Sequence, residues 1–214
     1  MKTCTFQEIV NLAMEYAMRT RDKLLSKEQL MLQGFLATEF EILFNGQPWE
    51  FLIPDFVQFN VANNQVALDE DLYGDVLAVT SLNPHVSDYY WHIPYSFGTD
   101  ANADRILWTG EPADTIWLEA MQPYPGTVWP DLAAMSLADF YAAKCPRVWK
   151  AVLARKAAAE MLAQDDNAAA AGVQLGLADR ALAAVIQRFC PVPAWRGFRM
   201  SPPTDRRKGS PSYV

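Results

Sequence analysis

The feature that most constrains this chain is a change in the period of its apolar residues, helical at both ends and close to alternating between them. Thr5-x-x-Glu8 has the form of a capping box, and Phe6, Ile9, Val10, Ala13, Met14 and Ala17 follow at helical spacing. This predicts a first helix over about 6–24. Ser26-x-x-Gln29 repeats the start signal, and Leu32, Phe35, Leu36, Phe40 and Leu43 form a stripe that stops at Asn45-Gly46, with Pro48 beyond. The link between the two helices is very short, so they are expected to form an antiparallel hairpin.

From about 54 to 130 the pattern is that of strands. Phe56 to Val61 alternates in part, Asn63-Asn64 reads as a turn, and Val66-Ala67-Leu68 as the returning partner strand. Val76 to Leu82, Arg105 to Thr109 and Thr115 to Met121 read as further strands, the last two separated by Gly110-Glu111-Pro112-Ala113. After the proline-rich stretch Pro123 to Pro130, Ser136-x-x-Asp139 caps a short helix that Pro146 ends or restarts. A long helix carrying Val148, Trp149, Val152, Leu153, Ala157, Met161 and Leu162 follows, broken by Asp165-Asp166-Asn167 before a last helix to about Phe189.

The expected fold is therefore α+β. A four-helix scaffold, two helices N-terminal and two C-terminal, carries an inserted small antiparallel β unit and ends in an extended tail. The expected divisions are 1–48 with 131–190 for the helices, 49–130 for the insertion and 191–214 for the tail. Phe6, Ile9, Leu32, Phe35, Leu36, Trp149, Val152, Leu153, Leu182 and Ile186 should build the helical core. Trp49, Phe51 and Leu52 should anchor the junction between helix two and the insertion, as large apolar residues just past a helix stop.

Charge narrows the choice of partner. The total is −7, yet residues 191–214 carry Arg196, Arg199, Arg206, Arg207 and Lys208 against Asp205 alone. The tail is thus +4 and the remainder −11. A body this acidic disfavours a phosphate-binding surface over the whole protein, whereas an acidic body with a basic tail suits docking on another acidic surface. Five of the 14 prolines lie in the tail, which holds too little apolar area to fold alone. Trp195 and Phe198 are its candidate anchors and the five cations its steering charges.

The search for catalytic chemistry returns little. His85 and His92 are the only histidines and lack metal-ligand spacing, and Asp69-Glu70-Asp71 lacks the spaced oxygens and central glycine of a calcium loop. There is no Walker loop, dinucleotide fingerprint or nucleophile elbow. No enzyme, metal or cofactor is expected. Cys4, Cys145 and Cys190 are odd in number and far apart, with no disulfide framework, and are read as reduced, buried thiols. No membrane-spanning stretch or signal-peptide pattern is read, so synthesis and residence in the cytoplasm are expected. The aromatic run Tyr89, Tyr90, Trp91 either fills a small sheet's core or offers a contact surface.

The order of these features resembles a known family. The second helix runs through Asn45-Gly46 into Trp49, Phe51 and Leu52; a strand-rich insertion closes with Ile116 to Pro125; and a proline-led, alanine-rich helix from Pro146, an acidic turn and a last helix follow. This arrangement is similar to the head-to-tail connector adaptors of tailed bacteriophages. The resemblance implies a non-catalytic protein of the virion neck. It would bind the portal and other neck or tail proteins and self-associate into a ring, of twelve subunits in the family, with DNA passing through without sequence-specific contacts. Asn83 to Asp104 is richer in aromatics than that pattern. A non-catalytic module that binds a ligand through the aromatic insertion is the alternative.

Overall fold

The computed structural model describes residues 2–19, 24–99 and 105–190. Among the described residues the chain is a mixed α+β protein with five α-helices and small antiparallel sheets. It divides into two compact units, one comprising Met1–Phe51 and Pro130–Cys190, the other Leu52–Trp129.

In the first unit, β1 (Thr3–Thr5) leads into α1 (Phe6–Tyr16), and α2 spans Ser26–Gly46. Then come α3 (Leu137–Ala142), β8 (Lys144–Pro146), a 3-10 turn (Arg147–Trp149), α4 (Lys150–Gln164) and α5 (Ala168–Phe189). Three helices have side-chain caps, and those at Thr5 and Ser136 are the ones read from the sequence, while Asn167, read as a break, caps α5. The Thr5 hydroxyl accepts the Glu8 N–H, Ser136 Oγ accepts that of Asp139, and Asn167 Oδ1 accepts that of Ala170, each satisfying a donor the first helical turn leaves unpaired. At α2 the cap is different: Glu28 accepts the Leu25 N–H at 2.8 Å, and the expected Ser26-x-x-Gln29 box is not what closes the turn.

Helix α1 ends at Tyr16, eight residues short of the expected limit. Met18 adopts a left-handed backbone, the Arg19 N–H bonds the Met14 carbonyl and the Met18 N–H bonds that of Glu15, a Schellman stop built without glycine. The link to α2 is accordingly longer than expected, and the two helices are not a closely packed hairpin. Both pack on α4, as does α5. A helix with neighbours on several sides must be apolar on several sides. Val152, Leu153, Ala154, Ala157, Ala158, Ala159, Met161 and Leu162 of α4 are all buried.

The centre of this unit is aromatic. Phe40 meets Phe6 at 5.8 Å, Phe44 at 5.8 Å and Trp149 at 5.4 Å between ring centroids, and Phe140 lies 4.7 Å from Phe6. Seven of the expected core residues are buried. Phe35, Leu182 and Ile186 are only half-buried. Phe35 sits on the margin of the α2 stripe, and α5 presents small residues to α4, with Ala171 and Ala178 its only buried positions. Lys156 of α4 pairs with Glu39 of α2 at 2.5 Å, and Arg19 binds both oxygens of Asp165 and reaches Glu28.

The described residues of the second unit hold six strands: β2 (Val57–Asn60), β3 (Gln65–Ala67), β4 (Val76–Thr80), β5 (Tyr95–Thr99), β6 (Arg105–Thr109) and β7 (Thr115–Ala120). They form two three-stranded antiparallel sheets, β2-β7-β4 and β3-β6-β5. The expected β2–β3 hairpin survives only as the bridge Ala62–Gln65 across Asn63-Asn64, both at positive φ. Beyond that turn the strands part, β2 pairing with β7 and β3 with β6. Each buries one face in a shared core of Val66, Leu68, Val79, Ile93, Leu107, Ile116, Leu118 and Ala120. Separation of the two sheets lets both inner faces meet across one apolar layer.

Candidate functional site: an apolar groove with a cationic rim

Trp195, Arg196, Phe198, Arg199, Arg206, Arg207 and Lys208 lie outside the described residues. Of the aromatic run, Tyr89 is 76% and Trp91 43% exposed, while Tyr90 is half-buried with its ring 5.9 Å from that of His92. The run is held by its backbone, since the Trp91 N–H bonds Ser81 Oγ and the Ser81 N–H bonds the Trp91 carbonyl. This leaves the Tyr89 and Trp91 rings facing solvent instead of filling the sheet core. Burial lowers the His92 pKa, against the pull of Glu119, and its Nε2 has no hydrogen-bond partner. The ring is neutral at pH 7.

Trp49 is buried, donates Nε1–H to the Leu43 carbonyl at 2.5 Å, stacks on Phe51 and meets Trp149 edge to face at 5.4 Å. The bond satisfies a carbonyl in the last turn of α2, where the helix has no acceptor-capping partner of its own. Phe51 also meets Trp149 and Phe189. Leu52, fully buried in the second unit, accepts the Gln122 N–H. Trp149 Nε1 has no hydrogen-bond partner, and the rings of Phe40, Trp49 and Phe51 cross it at 64–78°.

Around Phe51 and Phe189 the helical unit forms an open groove of about 620 Å³. Val148, Ala184 and Val185 complete its apolar lining, and Lys2, Arg147 and Arg188 supply three cations. The Arg188 guanidinium lies 5.2 Å from the Phe189 ring, which helps hold it beside the apolar surface. Such a groove can hold an apolar side chain flanked by carboxylates. Sequence reasoning missed it because its cations come from positions 2, 147 and 188, separated by most of the chain. The only local signal is Trp-x-Phe, read for the junction and not for the groove.

A second surface lies along α5. Its 22 residues are long and apolar enough, by length and composition, to cross a membrane, a property the search for uninterrupted apolar runs passed over. Val173 is 61% and Leu175 46% exposed, and a Cβ added at Gly172 or Gly176 would meet nothing within 4 Å. Leu30, Met31 and Ile42 of α2 are exposed as well. The groove and these helix faces offer apolar surface for contact. The chain matches no model of a known protein family and no curated protein.

Proposed function

We propose that this chain is a structural head-to-tail adaptor of a tailed bacteriophage, joining capsid to tail as a ring beneath the portal and leaving a channel for DNA. In this reading α1, α2, α4 and α5 are the scaffold, the strand-rich unit is the insertion that faces other neck or tail proteins, and residues 191–214 are the arm that reaches the portal.

The observation that carries the proposal is α5, a long apolar helix that a single copy leaves largely in water. Only Ala171 and Ala178 of its residues are buried. A lipid partner is disfavoured by Asp179 and Arg180 near its middle, each costing about 2.5–3.5 kcal/mol at a membrane centre. A neighbouring protein surface accepts both the apolar residues and that charge pair. The division of charge supports the same reading: a body of −11 and a tail of +4 make each subunit both donor and receiver, as a closed head-to-tail ring requires. An acidic body also lets DNA pass without being held, because phosphate binding needs accumulated cations.

The test is association with the cognate portal by the full chain and by a chain ending at Cys190. The full chain should bind, more weakly as salt rises, and the shortened chain should lose most of its affinity. No association of the full chain at any salt concentration would refute the reading.

A further inference from the structure

The structure brings together two cysteines that lie 141 positions apart. In the antiparallel β1–β8 ladder Cys4 stands directly opposite Cys145. The Phe6 N–H bonds the Ala143 carbonyl and the Arg147 N–H bonds the Lys2 carbonyl, which fixes the phase of the ladder and makes Cys4–Cys145 one of its hydrogen-bonded pairs. Such pairs have Cα atoms about 5.5 Å apart, inside the range of roughly 4.4–6.8 Å that a disulfide spans. Residues opposite one another point to the same face of the ladder. Both cysteines are buried; the Cys4 thiol donates to the Cys145 carbonyl at 3.7 Å and the Cys145 thiol to the Pro146 carbonyl at 3.5 Å.

We propose that Cys4 and Cys145 form an oxidisable dithiol whose disulfide clamps β1 to β8, with a low-molecular-weight disulfide such as oxidised glutathione as the oxidant. The Cys4 thiolate attacks one sulfur of the oxidant, forming a mixed disulfide and releasing one thiolate, which takes up a proton. Cys145 then loses its proton and attacks the Cys4 sulfur, expelling the second thiol. The protein dithiol is oxidised by two electrons and the small disulfide is reduced to two thiols. Geometry sets the partners, and the surroundings set the order. The neighbouring Cys145 side chain first, then the charges of Lys150 and Arg147, outweigh burial and Glu8 and lower the Cys4 pKa, whereas burial raises that of Cys145 well above its ordinary value. Cys4 is therefore the attacking thiol and Cys145 the resolving one. Access comes from local opening of a ladder only three residues long on each strand.

The bond would close a loop holding residues 4–145, and a loop of that length restricts the unfolded chain strongly. The test uses the full chain with Cys190→Ala, which removes the third thiol. One sample is incubated folded with oxidised glutathione; a second is unfolded in denaturant and refolded with it, so that access does not limit the result. Both should lose two hydrogens by intact mass, show no titratable thiol, and yield on digestion a linked pair of peptides containing Cys4 and Cys145. The oxidised protein should melt about 5–15 °C higher than the reduced one. A limiting amount of an alkylating agent should label Cys4 about tenfold faster than Cys145. Two free thiols, or stable glutathione on either cysteine, as the end product of the refolded sample would overturn the proposal.

Discussion

Replacing Phe40 by Ala removes the ring on which the aromatic centre of the helical unit converges. Phe40 is 1% exposed and meets Phe6, Phe44 and Trp149 at 5.4–5.8 Å. Burying a phenylalanine side chain is worth about 1.5–3 kcal/mol in transfer free energy. Lost ring–ring contacts and the cavity left behind bring the cost of truncation to about 3–5 kcal/mol. Phe35, one turn earlier on α2, supplies the control. It is half-buried, so much of its surface is already in contact with water, and Phe35→Ala should cost about 1–2 kcal/mol. The assay is urea unfolding followed by tryptophan fluorescence, with both variants compared at the same slope so that a midpoint change reports stability. At roughly 2–4 °C per kcal/mol for a chain of this length, Phe40→Ala should also melt about 6–20 °C below the parent. Equal losses for the two variants, or a loss under about 1 kcal/mol for Phe40→Ala, would mean that the buried face of α2 is assigned wrongly.

Further outcomes follow from polar contacts. Gln33, buried on α2, donates to the carbonyls of Leu132 and Met135, so Gln33→Leu, which removes both bonds, should cost about 1–3 kcal/mol, measured in the same unfolding assay. Trp49→Phe keeps most of the ring but loses the bond to the Leu43 carbonyl, and should cost about 1–2 kcal/mol. The Arg19 guanidinium lowers the Asp165 pKa below its ordinary 3.8. A carboxylate held low in the folded state contributes stability above its unfolded pKa and loses it as pH falls through the folded value. Asp165→Asn should therefore destabilise the protein at pH 7, with the gap to the parent closing as pH falls through the lowered folded-state value in melts run across pH.

Local chemistry was the legible part of the fold. Thr5 and Ser136 cap helices because a short polar side chain can reach the free N–H groups of a first turn, a property readable from four residues. The stop of α2 at Gly46 and the limits of β6 are equally local. Where a distant partner decided the outcome, the sequence was silent. The end of α1 falls within Ala17-Met18-Arg19, all good helix formers, and Arg19 there binds Asp165 and the Met161 carbonyl from the end of α4. Strands β1 and β8 are three residues each and exist only as each other's partner. Turn residues placed Asn63-Asn64, but which strands pair beyond it depends on how two sheets share one core. The groove was illegible for the same reason, as its cations are distant in sequence. The exposed positions of Tyr89 and Trp91 follow from a backbone clasp at Ser81 that no spacing rule encodes.

Copies of this chain are proposed to assemble into a ring on a portal, and imaging the purified protein mixed with its cognate portal is the decisive experiment. A closed ring should be seated against the portal, with α5 covered by a neighbouring copy and the tail lying on the portal surface. Single, unassociated copies with α5 still facing solvent, at protein concentrations where the portal itself is intact, would contradict it.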